Sequence, residues 1–164
     1  MRILAPRYAT VLATVLSALA LGAALASERW LGLVPCALCL LERWPYRIAM
    51  GVGLVAYLAP RARIPLMAVL ALVFLAGAGL GVVHVGVEHG WWPSPLPECA
   101  APDLGHGSMA ERLARMPALP AKPCDEPTYL VPGLPVSMAM MNVLLDLALA
   151  AMVAISLSTR RRAV

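Results

Sequence analysis

"VPCALCLLERWP", residues 34–45, is the stretch on which the reading of this chain turns. It sets Cys36 and Cys39 in a C-x-x-C pair, with an acid and a base, Glu42 and Arg43, directly behind them. The charge-free run that follows, Ile48 to Ala59, offers only about 12 residues, and a helix needs about 20 to cross a bilayer. A spanning helix here must therefore start near Cys39 and carry Glu42, Arg43 and Arg47 with it. Pro45 then falls early in that helix and is expected to bend it.

The rest of the chain supports a membrane setting. It has 164 residues, 61% of them hydrophobic and 13% charged, with a mean hydropathy of +0.79. Apolar runs on such a background mark membrane spans rather than a soluble core. "YATVLATVLSALALGAALA", 8–26, is uncharged and long enough to span. Four spans are expected, at about 8–26, 39–59, 64–87 and 136–158. The connections are an outer loop 27–38, a turn 60–63, a long loop 88–135 and a tail 159–164. The expected fold is an all-α bundle of four transmembrane helices forming a single membrane domain. Nothing in the chain resembles the basic, aromatic-interleaved surface of a nucleic-acid binder.

Charge orients the bundle. Arg2, Arg7, Arg61, Arg63, Arg160, Arg161 and Arg162 have no acid beside them, whereas the other connections mix acids and bases. By the positive-inside rule both termini are expected in the cytoplasm, with all four cysteines outside. Arg2, Arg7 and the Ala24-Leu25-Ala26 triplet also suit a cleaved signal peptide. The apolar stretch is longer than the usual h-region, so a retained span is expected.

The 88–135 loop differs in composition, holding ten of the fifteen prolines between Pro93 and Pro135. Such a segment cannot lie in lipid, where its backbone groups would go unpaired. It is expected to be mostly extended and mobile. Within it, "SMAERLARM", 108–116, carries a capping-box spacing, Ser108 to Glu111. Met109, Leu113 and Met116 share one face of that short helix, which suits either a membrane-surface helix or a frayed one. In the third span, Gly77, Gly79 and Gly81 predict close helix packing.

Four cysteines allow three pairings, and disulfides persist on an oxidising side of the membrane. Proximity favours Cys36–Cys39, which leaves Cys99 and Cys124. A bridge between those two would staple a flexible loop. The Cys36–Cys39 ring constrains little, so redox chemistry explains it better. Its position points the same way, since a helix N-terminus and Arg43 one turn on both favour a thiolate at Cys39. Arg47 and Trp44 are read as a snorkelling cation and an interface anchor. No metal is expected, because structural zinc usually takes two close cysteine pairs. Asp146 and His84, both inside spans, are read as packed interior residues, with proton relay a lesser role for Asp146.

Pro35-Cys36-x-x-Cys39-x-x-Glu42-Arg43, four spans, two further cysteines and "GVEHGWWPSPLPEC", 86–99, together resemble the DsbB family of bacterial inner-membrane disulfide oxidases. The resemblance implies a quinone-dependent protein-disulfide oxidoreductase that reoxidises a periplasmic DsbA-type thiol oxidase and so sustains protein folding through disulfide formation. It implies catalytic roles for Cys36, Cys39, Cys99 and Cys124. Cys99 takes the mixed disulfide with the partner and Cys124 pairs with it. Cys39, Arg43 and His89 match positions at the family's quinone site, and the acceptor is ubiquinone or menaquinone. "TYLVPGLPVSMAMMN", 128–142, departs from the family's aromatic-rich approach to the last span. A relative of vitamin K epoxide reductase fits less well, because there the C-x-x-C lies late in the chain. The same residues also suit a paralogous oxidase with a dedicated partner, or a non-catalytic membrane subunit with structural disulfides.

Overall fold

The computed structural model describes residues 5–99, 108–114, 122–131 and 133–161. Arg2, Asp103, Met116 and Arg162, and the side chains of Arg160 and Arg161, lie outside it. The described residues are helical and without strands. Helix α1 runs Pro6–Leu31, α2 Ala37–Leu41, α3 Arg43–Leu58, α4 Arg63–Glu88, α5 Met109–Ala114 and α6 Met138–Arg161. A 3-10 turn covers Pro97–Cys99.

Three of these helices, α1, α4 and α6, are long and apolar enough to cross a membrane. Their starts and stops follow local chemistry. Pro6 opens α1, where its missing N–H is no loss. Gly32 closes α1 at φ 65°, a left-handed conformation, and its N–H bonds to the Ser27 carbonyl. Three polar residues within α1 satisfy themselves: Thr10, Thr14 and Ser17 each donate to the carbonyl four residues back.

The second expected span takes a different form. The structure divides it at Glu42 into α2 and the 16-residue α3. Pro45 accounts for the break, since it cannot donate to the Leu41 carbonyl and its ring crowds that turn. The distortion appears one turn ahead of the proline itself. At the far end of α3, Arg63 Nε donates to the Ala56 carbonyl at 3.1 Å, so the base closes the helix that precedes it.

The core lies where α1, α3, α4 and α6 meet. Ala9, Ala13, Ala49, Met67, Leu70, Leu149 and Val153 are buried there around Phe74, the chain's single phenylalanine. Large apolar side chains such as Leu19, Leu58 and Leu72 point outward. That surface suits lipid, which imposes no cost on exposed leucine.

Small residues set the helix spacing, as the glycine pattern of the third span predicts. A Cβ on Gly81 would stand 2.6 Å from Val143 Cγ2, and one on Gly77 2.2 Å from Asp146 Oδ2. Gly79, between them, faces open space. On the other side, a Cβ on Gly53 of α3 would collide with Thr14 of α1. Gly81→Leu should therefore cost roughly 1–3 kcal/mol of overpacking, while Gly79→Leu should stay within about 0.5 kcal/mol of wild type. Unfolding in detergent measures both, and equal losses would contradict this contact.

Candidate active site

Cys36 is the N-cap of α2, and its sulfur accepts the backbone N–H of Cys39 at 3.2 Å. The two sulfurs lie 2.8 Å apart as unbonded thiols. The sequence places the helix-start advantage at Cys39, but the structure gives it to Cys36. Cys39 lies inside the first turn and points its own N–H at its neighbour's sulfur. The hydrogen bond from the Cys39 thiol, helped by that N–H, holds Cys36 below the usual thiol range against the opposing effects of burial and Glu42.

His84 completes this end of the site. Sequence reasoning takes it for a packing residue, yet its Nε2 lies 3.4 Å from the Cys36 sulfur. Its Nδ1 bonds Glu42 Oε1 at 2.8 Å, and His84 and Glu42 are both buried. The second Glu42 oxygen accepts from Asn142 Nδ2 at 2.6 Å, and Asn142 Oδ1 accepts from the Tyr46 hydroxyl at 2.6 Å. Beyond Tyr46 lies Asp146, fully buried, as the sequence expects of an inward-packed residue. Neither of its carboxyl oxygens has a hydrogen-bond partner. One signal for His84 and Glu42 is present in the sequence: ionisable residues at membrane depth are functional candidates.

Arg43 is buried and pairs with Glu28 near the end of α1. The sequence gives no signal for this partner, which is 15 residues away on another helix. The ion pair occupies one terminal nitrogen and leaves Arg43 Nε buried without a hydrogen bond. Arg43 lines an apolar cavity of about 300 Å³ together with Cys39, Glu42, Tyr46 and Asn142. Ala20, Leu21 and Ala24 of α1 close one wall, and Met138, Met141 and Leu145 of α6 another. Arg47 is exposed and lies over the half-exposed Trp44 ring at 5.3 Å.

The loop cysteines are bonded to each other, Cys99 to Cys124, with Cα atoms 4.9 Å apart. The sequence places these cysteines on a loop expected to be extended and mobile, and in the structure both residues are buried. They pack in one apolar cluster with Cys36, Leu38 and Val87, and Cys39 lies against its edge. The turn beyond α4 anchors this end. Gly90, at φ 68°, reverses the chain, and Trp92 donates to the Val83 carbonyl while its ring covers Gly86. Ser137 donates to Glu88 at 2.6 Å and ties α6 to the same turn. Within the loop, Ser108 and Glu111 form the reciprocal cap expected of the short helix.

The structure thus brings Cys36, Cys39, Cys99 and Cys124 together and sets Arg43 on the cavity beside Cys39. His89 is not among the residues that line the cavity. It is exposed at the end of α4 and stacks on Trp91 with ring centroids 5.2 Å apart. Among the described residues, Cys36, Cys39 and His84 bring donor atoms within 4.8 Å of one another. That is one donor short of a closed structural zinc site, and the loop cysteines are committed to their disulfide.

A dithiol packed against a disulfide is arranged for thiol–disulfide exchange, which needs a thiolate beside a sulfur it can attack. Comparison with known proteins agrees with that chemistry. No curated protein and no solved structure matches the chain. The family model described as "Disulfide bond formation protein DsbB" matches residues 6–156, nearly the whole length, and the chain belongs to the DsbB family.

Proposed function

We propose that this membrane protein is a thiol:quinone oxidoreductase that reoxidises a periplasmic DsbA-type thiol oxidase. One observation carries this reading. Cys36 shares an apolar cluster with the Cys99–Cys124 disulfide, while Cys39, three residues on, lies on the wall of a separate apolar cavity. A pair placed between a protein disulfide and a lipid-soluble acceptor can pass electrons from one to the other.

In this scheme the partner's thiolate attacks the loop disulfide at Cys99, releasing Cys124. The loop sulfurs then take their disulfide back from Cys36–Cys39, which becomes the dithiol. A quinone supplies the acceptor for the two electrons and two protons that the dithiol gives up. The cavity residues fit such a molecule, with an apolar lining and a free buried donor at Arg43 Nε. A guanidinium beside an oxygen on which charge develops stabilises it more in a desolvated site than in water. Because both loop sulfurs are buried, the loop must shift before a partner can reach Cys99. His89, which the family resemblance places at the quinone site, is exposed at the end of α4 and is not among the residues lining this cavity.

The proposed topology has four spans, with α2 and α3 together crossing the bilayer as the second. Both termini are cytoplasmic and both cysteine pairs face the periplasm of a bacterial inner membrane. The exposed Arg61 then lies inside and the exposed Glu126 outside. On a cysteine-free background, a membrane-impermeant maleimide should label Glu126→Cys in intact cells and Arg61→Cys only after lysis. The reverse pattern would contradict this orientation.

Cys36→Ser and Cys39→Ser should each abolish electron transfer to added quinone while the protein still accumulates in the membrane. A wild-type rate of DsbA-type reoxidation in either variant would point instead to a structural role for the pair. Arg43→Lys should keep part of the activity and Arg43→Leu should lose at least about tenfold, mostly through a raised quinone KM. Steady-state kinetics at varied quinone separate the two, and an unchanged KM in Arg43→Leu would remove Arg43 from the acceptor site.

A further inference from the structure

His84 and Glu42 have no part in the electron route above, yet they form a buried polar pair beside Cys36. The Cys36 sulfur, the His84 ring and the Glu42 carboxylate stand in line at 3.4 and 2.8 Å. All three residues are buried. This is the arrangement of an activated nucleophile: a thiol, a base within hydrogen-bond reach, and a third group that orients the base. With Glu42 as a carboxylate, Nδ1 carries its proton toward Oε1. That leaves the Nε2 lone pair facing the Cys36 S–H.

We propose that His84, oriented by Glu42, is the base that takes the Cys36 proton each time the Cys36–Cys39 pair is reoxidised. The proposal rests on the quinone reading for the fate of the electrons. Reoxidation forms the S–S bond and removes two electrons and two protons from the dithiol, and the quinone that becomes quinol accepts both. Cys39 lies on the acceptor's cavity, whereas Cys36 lies in the cluster with Cys99 and Cys124. The Cys36 proton therefore needs a carrier, and Nε2 is the acceptor in reach. The imidazolium so formed is held against the Glu42 carboxylate, and its Nε2–H then bonds the new thiolate. Glu42 itself lines the cavity and is fixed there by Asn142. The pair thus stands between the thiol that loses a proton and the place where protons are consumed. The titratable groups facing His84 are Cys36, Cys39 and Glu42 from the second helical segment and Glu88 from its own helix. From α6, Asp146 interacts with Glu42. His84 is a catalytic residue in this scheme because it touches a reacting atom. Glu42 is a positioning residue.

The test reads Cys36 directly and needs no quinone. Full-length protein is reduced in detergent, stripped of quinone, and alkylated with iodoacetamide across a pH series. Peptide mass spectrometry then isolates modification at Cys36. In His84→Gln the Cys36 profile should move to higher pH, with alkylation at pH 7 about tenfold slower than wild type, because less thiolate is present. Glu42→Gln, which keeps a bond to the ring but not the charge, should move it the same way by less. Circular dichroism and retention of the Cys99–Cys124 disulfide before reduction identify variants that remain folded. Superimposable profiles for wild type and folded His84→Gln would overturn the proposal, as would a faster rate at pH 7 in the variant. If the profile shifts as expected but wild-type dithiol passes no electrons to quinone, the quinone reading fails while the base assignment stands.

Discussion

One buried carboxylate holds the working end of this protein together. Glu42 sits at the junction between α2 and α3 and accepts from His84 of α4 and Asn142 of α6. A charge in that position is tolerable only while both oxygens are bonded, and removing a partner from a buried charged pair typically costs about 3–5 kcal/mol. Glu42 therefore pins three chain segments that pack elsewhere through apolar side chains such as Phe74, Leu70 and Leu149. It stands at the break that Pro45 causes between α2 and α3, and there it holds the His84 ring, whose other nitrogen faces Cys36. It also brings Asn142 and Tyr46 to the cavity wall.

Around that carboxylate the two halves of the chemistry are kept apart by one helical turn. Cys36 caps α2 and faces the loop disulfide, while Cys39 lies inside the turn and borders the cavity. The C-x-x-C spacing holds the sulfurs in contact while their surroundings differ. The Glu28–Arg43 pair serves the cavity side. It balances a guanidinium that would otherwise be buried alone, and it leaves Arg43 Nε without a hydrogen-bond partner. An oily chain with two thiols, an acid and a base at its second helix start is thus arranged, as proposed, to bridge an aqueous thiol partner and a lipid-borne acceptor.

The sequence made the helices legible because their length, apolar composition and glycines have one physical outcome in lipid. Gly77 and Gly81 mark the α4–α6 contact by a rule that needs only local sequence, whereas α1 runs Pro6–Leu31, past the span expected at 8–26 and into the expected outer loop. The first motif was equally clear, since thiols and charges beside an apolar run are costly without a use. What stayed hidden was pairing across helices. Nothing in the sequence connects Arg43 to Glu28, or Cys36 to His84, because each contact depends on how helices rotate against one another. The burial of Cys99 and Cys124 was hidden for the same reason. Proline content predicted an extended loop but could not show that its disulfide folds back onto Cys36. The position of the α2–α3 break was only half legible: Pro45 signals a bend, while the place of that bend depends on which carbonyl loses its donor.

If the two cysteine pairs are one relay, Cys36 is the sulfur that meets the loop. The most direct measurement is disulfide mapping of a Cys39→Ser, Cys124→Ser double variant after mild oxidation in the membrane. Non-reducing peptide mass spectrometry should find an intramolecular Cys36–Cys99 disulfide in most of the protein. If Cys36 and Cys99 both remain free, or bond only between separate chains, the pairs do not communicate and the relay does not exist.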